Sequence, residues 1–271
     1  MSQTDFVDIT WQGRSVRIEH QWLCAAHTDA PLMVFLHEGL GSVAMWKDFP
    51  QQLCEALHVR GLVYSRPGYG QSTPRAADEH WDPDFMHRQA HEVLPALLAA
   101  LGITEAPWLF GHSDGGSIAL LYAARHATAG LMVMAPHILV EEVSITSITQ
   151  ARETYENTDL RQRLTRYHAD VDSAFWGWNR IWLDPNFRSW NIEENIRAIT
   201  CPVLAIQGID DEYGTLAQIR GIAERVPHTQ LLELAHCGHS PHRDQLDALI
   251  QACVTFFNAQ QDSPFSQPRQ P

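Results

Sequence analysis

The chain is poor in cysteine, in positive charge and in long apolar runs, and each shortage closes off a class of protein. Five cysteines (Cys24, Cys54, Cys201, Cys237 and Cys253) are scattered over 271 residues, and no two form a C-x-x-C pair. An odd, dispersed set does not make a disulfide framework, so reduced thiols in a cytoplasmic protein are expected. Lys and Arg total 19 against 32 Asp and Glu, a formal net charge of −13. Nucleic acid and anionic membrane surfaces both require a basic face, so neither is expected as a partner. No apolar run approaches the ~18 residues of a membrane span. The opening MSQTDFVDITWQG also lacks the basic-then-apolar layout of a secretory signal, which again points to the cytoplasm.

What remains is an ordinary globular composition, 45% hydrophobic and 19% charged, which rules out disorder over most of the length. The length allows two average domains, or one large α/β domain with an insertion. Short apolar runs at 33–37, 62–65, 108–110, 131–134, 203–207 and 230–233 alternate with helix-length periodic segments. Runs apolar along their whole length suit strands buried on both faces of a parallel sheet. An opening pair, 7–11 and 16–20, alternates in character around Gln12-Gly13-Arg14 and reads as an antiparallel hairpin. Helices are expected over 82–101 (capped by Asp82-Pro83 and kinked at Pro95), 115–125, 215–226 and 244–258.

Residues 138–190 break the alternation and are far longer than a usual connection of about 2 to 6 residues. The stretch is helical in pattern and aromatic, with Phe175, Trp176, Trp178, Trp182 and Trp190. An insertion following a strand's carboxyl end would lie over the sheet edge where open α/β folds bind ligands. The expected organisation is therefore a core of 1–137 and 191–259, a helical cap of 138–190, and a flexible tail of 260–271.

The most specific motif is Gly111-His112-Ser113-Asp114-Gly115, a G-x-S-x-G between an expected strand and an expected helix. The glycines permit a sharp turn that lifts the serine hydroxyl clear of the sheet at a helix N-terminus. With these flanks the sequence resembles the α/β-hydrolase family. The resemblance implies an eight-stranded, mostly parallel sheet flanked by helices, with the cap inserted after the sixth strand, and a Ser-acid-His order of catalytic residues. Ser113 then falls in the nucleophile's place. Gly208-Ile209-Asp210-Asp211 follows a strand, and the family's G-x-x-D spacing puts Asp211 in the acid's role, with Asp210 as rival. His236, His239 and His242 follow the last strand, and the family's G-H places the base at His239.

Acyl transfer also needs donors for the developing oxyanion. Glu38-Gly39-Leu40-Gly41-Ser42 resembles the family's loop after the third strand, aligned without a gap through Trp46, although Glu38 stands where glycine is usual. On that alignment the donors are the N–H groups of Gly39 and Asp114; a shift of register would move the first to Leu40. Ser65-Arg66-Pro67-Gly68-Tyr69-Gly70-Gln71-Ser72 resembles the family's D-x-R-G-x-G-x-S turn, with Ser65 in place of the leading aspartate, and is assigned a structural role. Matches run over about 31–136 and 201–258.

No metal or other cofactor is expected. His87 and His91 are spaced i, i+4 but lack the glutamate of H-E-x-x-H, and a site needs three or four convergent ligands. Glu38, Trp178 and Trp182 are candidate pocket residues. The tryptophans are either a substrate-facing wall or core packing, with packing expected for at least half of the aromatic set. Carboxylates at Glu38 and Asp114 flank the donors and would disfavour acidic substrates. Hydrolysis of a carboxylic ester or related small acyl compound is the function expected, as a carboxylic ester hydrolase. A small-ligand receptor of the same fold, or a carbon–carbon bond hydrolase or lactonase of aromatic catabolism, is the alternative. Ser113 excludes a haloalkane dehalogenase, which needs an aspartate nucleophile. Ser240 stands where ring-cleavage carbon–carbon hydrolases often carry tryptophan.

Overall fold

The computed structural model describes residues 4–76 and 79–261. Eight strands form one sheet: β1 (Thr4–Trp11), β2 (Arg14–Leu23), β3 (Leu32–Leu36), β4 (Arg60–Tyr64), β5 (Trp108–His112), β6 (Gly130–Met134), β7 (Val203–Gly208) and β8 (Thr229–Leu234). Their spatial order is β1-β2-β4-β3-β5-β6-β7-β8. β2 pairs antiparallel with β1 and β4, and all other pairings are parallel. Gln12 and Gly13 take φ of 50° and 72°, the left-handed pair that a tight two-residue hairpin requires.

Strands β3, β5, β6 and β7 are buried at every position. Their side chains alternate between two cores because successive Cβ atoms point to opposite faces. Leu32, Val34 and Leu36 enter one core, while Met33 and Phe35 enter the other. The first core is closed by α2 (Phe85–Arg88), α3 (Leu94–Ala100), α4 (Asp114–Ala123) and the segment between β6 and β7. That segment comprises α5 (Glu142–Asn157), α6 (Leu160–Leu164), α7 (Val171–Trp182), a 3-10 turn (Pro185–Ser189) and α8 (Glu193–Ile196). α9 (Ala217–Arg225) completes this side. The second core is closed by α1 (Phe49–Leu57) and α11 (Leu246–Gln261), with the short α10 (Pro241–Asp244) leading into the latter.

Three helical expectations need correction. The helix expected over 82–101 begins at Phe85 and is interrupted by one π turn, Gln89–Val93, immediately before α3. Pro95 has no N–H to give, and its ring would strike the carbonyl of His91; the wide turn absorbs both defects. The expected 244–258 helix begins instead at Leu246 and runs to Gln261 as α11, with Asp244 closing the separate α10. Gln260 and Gln261 belong to α11 rather than to a tail, because nothing in Ala259-Gln260-Gln261 breaks a helix. The remainder of the expected tail lies outside the described residues. Among the described residues, no helix is long and apolar enough to cross a membrane.

The expected aromatic packing is visible on α7, whose N-cap Asp170 accepts a bond from Ser173 N at 2.9 Å. Phe175 is fully buried and stacks on Tyr155 of α5 at 3.6 Å between ring centroids. Trp178, Trp182 and Trp190 are buried too, whereas Trp176 is half-buried.

The turn at 65–72 shows how the missing aspartate is replaced. Ser65 Oγ donates to Glu19 Oε2 at 2.6 Å, and Gln71 N donates to the same oxygen at 2.8 Å. Glu19 comes from β2 and is buried. A carboxylate from a neighbouring strand thus satisfies donors that the turn does not satisfy from within. Glu19→Ala should lower the unfolding free energy by about 2–4 kcal/mol, since a buried hydroxyl and a part-buried N–H lose their acceptor at once. Glu19→Gln keeps an acceptor and should cost less than half as much in urea denaturation. Equal losses for the two variants would show that packing, not the shared acceptor, is what Glu19 contributes.

Candidate active site

Ser113 sits between β5 and α4 with φ 54° and ψ −121°. A left-handed backbone is unfavourable for a residue with a Cβ and persists only where the surroundings impose it. Here the surroundings are backbone. A Cβ on Gly115 would overlap the Leu36 carbonyl of β3, and one on Gly111 would overlap the backbone of Gly115. Ser113 N donates to Met134 O at 2.9 Å, tying the turn to β6. Although Ser113 occupies the N-cap position, its hydroxyl makes no capping bond.

His239 stands on the loop between β8 and α10. Its Nδ1 lies 2.9 and 3.0 Å from the two carboxylate oxygens of Asp211, so the proton resides on Nδ1 and Nε2 is left as a base. Asp211 Oδ1 also accepts from Tyr213 N at 2.8 Å, and Oδ2 from Gln207 Nε2 at 3.1 Å. Burial alone would depress the imidazole's basicity, but the Asp211 contact outweighs it and raises the pKa of His239. The reciprocal effect overcomes the burial of Asp211 and lowers its pKa. The structure therefore brings Asp211 to His239 and leaves Asp210 exposed on the surface. His236 is exposed as well, while His242 packs on Trp46 and Phe49. The His239 ring lies 5.1 Å from that of His112, the residue preceding Ser113.

The loop after β3 approaches from the other side. Gly41 N donates to Glu38 O at 3.0 Å, closing a turn over 38–41. The Trp178 indole lies so close to Gly39 that a Cβ there would overlap its ring nitrogen. The Glu38 carboxylate lies 3.6 Å from His112 Nδ1. Its burial would raise the pKa, but His112 and His37 together hold it well below the usual range. His112 Nε2 bonds the His239 carbonyl oxygen at 2.7 Å. Asp114 is the first residue of α4, and its side chain points into the protein. Trp182 Nε1 donates to Asp114 Oδ1 at 3.1 Å, and Arg66 Nη2 stands 3.8 Å from Oδ2. The expectation that two carboxylates face a substrate is thus corrected. Asp114 is fully buried, with its pKa raised by that burial, and only Glu38 is partly open. Trp182 is 1% exposed, and so forms part of the packing behind the turn.

Several neighbours have no signature in the sequence. His168, between α6 and α7, accepts from Gly70 N through Nδ1 and donates through Nε2 to Leu40 O, both at 3.0 Å. It ties the inserted segment to the 65–72 turn and to the 38–41 loop. His137 is buried beside His239 and Trp182, and burial pulls its pKa down to about 3. Among the described residues, no group of three or more His, Cys, Asp or Glu is arranged to hold a metal ion.

A mostly parallel sheet with a strand–serine–helix turn at one strand's carboxyl end, and an Asp–His pair from two others, defines the α/β-hydrolase architecture. A model of the alpha/beta hydrolase family matches residues 33–252, and the chain belongs to that family. It is 36% identical over 118 residues to a 2-succinyl-6-hydroxy-2,4-cyclohexadiene-1-carboxylate synthase of Yersinia pestis, which covers 42% of this chain and 39% of that protein. The match thus spans about two fifths of that relative's length. Among solved structures, carboxylesterase work on Nitrososphaera gargenis supplies a neighbour with TM-score 0.74 at 19% identity, covering 94% of this chain and 98% of the other. The enol-lactonase from Burkholderia xenovorans LB400 superposes with TM-score 0.71 at 20% identity, covering 94% and 100%. At these identities the two structures speak to the fold alone.

The Asp211–His239 contact makes a prediction about titration. Because His239 has its pKa raised above the ordinary 6.5, the pair's contribution from this group is full below pH 6.5 and is lost as pH rises through the folded value. Because Asp211 has its pKa lowered from 3.8, its contribution is present above that value and is lost as pH falls through the folded one. In NMR titration the His239 Cε1–H resonance should have a midpoint above 6.5. Asp211→Asn should move it downward by about one unit or more, and Asp210→Asn should leave it in place. An equal response to both substitutions would break the assignment of the pair.

Proposed function

We propose that the chain is a serine hydrolase of carboxylic esters or related small acyl compounds, working through an acyl-enzyme. The observation that carries this reading is the hold of Asp211 on His239 Nδ1, which leaves Nε2 available as a base, beside a strained turn that carries Ser113 without a capping bond. Ser113 Oγ attacks the acyl carbonyl carbon while His239 Nε2 takes the hydroxyl proton. Asp211 keeps the proton on Nδ1 and stabilises the imidazolium that forms. The N–H groups of Gly39 and Asp114 receive the negative charge that develops on the carbonyl oxygen. Collapse of the tetrahedral intermediate breaks the bond to the leaving alkoxide, which takes the proton from His239. A water molecule, deprotonated by the same nitrogen, then attacks the acyl-enzyme and releases the acid and Ser113.

A lactone is an ester whose leaving group stays tethered, so the same steps open it. The inserted segment acts as a cap over the carboxyl edge of the sheet, with the Trp178 indole against the donor loop. With Asp114 turned inward, discrimination against acidic substrates falls to Glu38.

Ser113→Ala should fold normally and lose turnover of aryl esters by at least about a thousandfold, together with labelling by a fluorophosphonate. A protein that merely binds small molecules would be stabilised by them without turnover in either form, which would overturn the reading. A second outcome concerns charge. Wild-type kcat/KM should favour a neutral aryl ester over its matched carboxylate analogue by about fivefold or more, the effect of ~1 kcal/mol between like charges near 4 Å in water. Glu38→Gly should bring that ratio toward unity. A ratio indifferent to Glu38 would place the charge discrimination elsewhere.

A further inference from the structure

One peptide of the donor loop is held far more firmly than a surface loop requires. The Glu38 carbonyl oxygen accepts three hydrogen bonds: from His37 Nδ1 at 2.7 Å, Arg66 Nη2 at 2.8 Å and Gly41 N at 3.0 Å. His37 Nε2 accepts from Arg66 N at 3.0 Å, which fixes the proton on Nδ1 and makes that nitrogen a donor. Burial, reinforced by Arg66, holds the imidazole pKa well below its ordinary range, so His37 stays neutral. The peptide unit is planar and trans, so the Glu38 C=O and the Gly39 N–H point in opposite directions. Three donors on the carbonyl therefore aim the Gly39 N–H away from Arg66.

Arg66 has a second contact that bears on the other donor. The same Nη2 stands 3.8 Å from Asp114 Oδ2, so one guanidinium contacts both the carbonyl of the Glu38–Gly39 peptide and the Asp114 side chain, next to the two N–H groups that would receive the oxyanion. The side chain is 1% exposed and lies over the Tyr69 ring at 4.7 Å. Its Nε has no partner among the described residues. A buried cation with a loose counter-ion and an unpaired donor is a poor device for stability. It is a good device for spacing, since a rigid planar fork fixes two groups relative to each other.

We propose that Arg66 is a positioning residue for the oxyanion hole: through the Glu38 carbonyl and the Asp114 carboxylate it sets the direction and spacing of the Gly39 and Asp114 N–H donors. This rests on the acyl-hydrolase reading above. It goes beyond that reading by giving a catalytic consequence to a turn whose motif implies only a structural role.

The test compares wild type with Arg66→Lys and Arg66→Met in three measurements. The first is kcat and KM for a neutral aryl ester. The second is the affinity for an aryl trifluoromethyl ketone, which adds Ser113 Oγ to its carbonyl and places an oxyanion in the hole. The third is the affinity for the matched secondary alcohol, which binds without one. In both variants kcat should fall about 30- to 300-fold with KM within about threefold. Ketone affinity should fall in parallel, while alcohol affinity changes by less than about threefold. Ketone and alcohol affinities that fall together, along with Tm, would indicate a merely structural Arg66 and overturn the inference, as would unchanged kcat in a folded variant. Arg66→Met removes a buried charge partner, so if it fails to fold, Arg66→Lys and a crystal structure of the wild-type ketone adduct decide the matter. The hemiketal oxygen should lie within hydrogen-bond reach of Gly39 N and Asp114 N, with Glu38 O still on Arg66. An oxygen seated on Leu40 N instead overturns the inference. Wild type that neither turns over esters nor forms the adduct overturns the acyl-hydrolase reading itself, and the inference with it.

Discussion

A tight backbone approach at the carboxyl edge of the sheet, that of Gly115 to the Leu36 carbonyl, sets the spacing of the turn and loop built beside it. Leu36 is the last residue of β3, and the donor loop begins at the next position. Gly115 is one residue beyond Asp114 and two beyond Ser113. A single contact between two bare backbones therefore fixes Ser113, the Asp114 N–H and the root of the Gly39 loop relative to one another. Any side chain at position 115 would push β3 away from α4 and open all three distances together. A comparable contact ties the other half of the site. A Cβ on Gly208 would overlap the Cys237 carbonyl, so the loop carrying Asp211 and the loop carrying His239 leave their strands in contact. The chemistry is placed by glycines that let strands and turns touch, and the reactive side chains inherit that precision.

Around this frame the buried side chains of Glu19, Arg66 and His168 link neighbouring loops through hydrogen bonds. Glu19 holds the 65–72 turn, Arg66 from that turn holds the Glu38 carbonyl, and His168 bonds both the turn and Leu40. The segment between β6 and β7 supplies His168, Trp178 and Trp182, which reach three different parts of the edge. The 38–41 loop and the turn at Ser113 therefore both lean on that segment. Burial lowers the pKa of His168, which matches its use of Nδ1 as an acceptor toward Gly70 N. Protonation there would turn an acceptor against a donor, so the clasp belongs to the neutral side chain.

Strands, turn and loops were legible in the sequence because their signals are local. Short apolar runs suit strands buried on both faces, Gly111 to Gly115 reads in one stretch, and the Gly208–Asp211 spacing places the carboxylate. Both choices left open among neighbours, Asp210 against Asp211 and His239 against two other histidines, concern register. The structure brings together Asp211 and His239 in each case. What could not be read depends on direction or on distance along the chain. Asp114 was expected to contribute its backbone N–H, and its side chain turns inward to Trp182 and Arg66, partners 68 and 48 residues away. Nothing local predicts that, and so the charge facing a substrate was overcounted. His168 lies in a segment with no motif at all. The π turn before Pro95 was half legible, since a kink was expected but its form depends on how neighbouring helices take up the slack.

The two departures from the family pattern are instructive because each comes with its own compensation. Ser65 lacks the carboxylate usual at its position, and Glu19 of the adjacent strand provides one at 2.6 Å from the serine hydroxyl. Glu38 brings a side chain where glycine is usual, and Gly41 gives it room: a Cβ on Gly41 would stand 2.5 Å from Glu38 Oε2. The glutamate's backbone keeps the conformation the loop needs, since Arg66, His37 and Gly41 hold its carbonyl whatever the side chain. A changed residue at such a place therefore does not weaken the motif's meaning. It displaces the missing or added group to a neighbour that packing has already brought within reach, and that neighbour becomes part of the site.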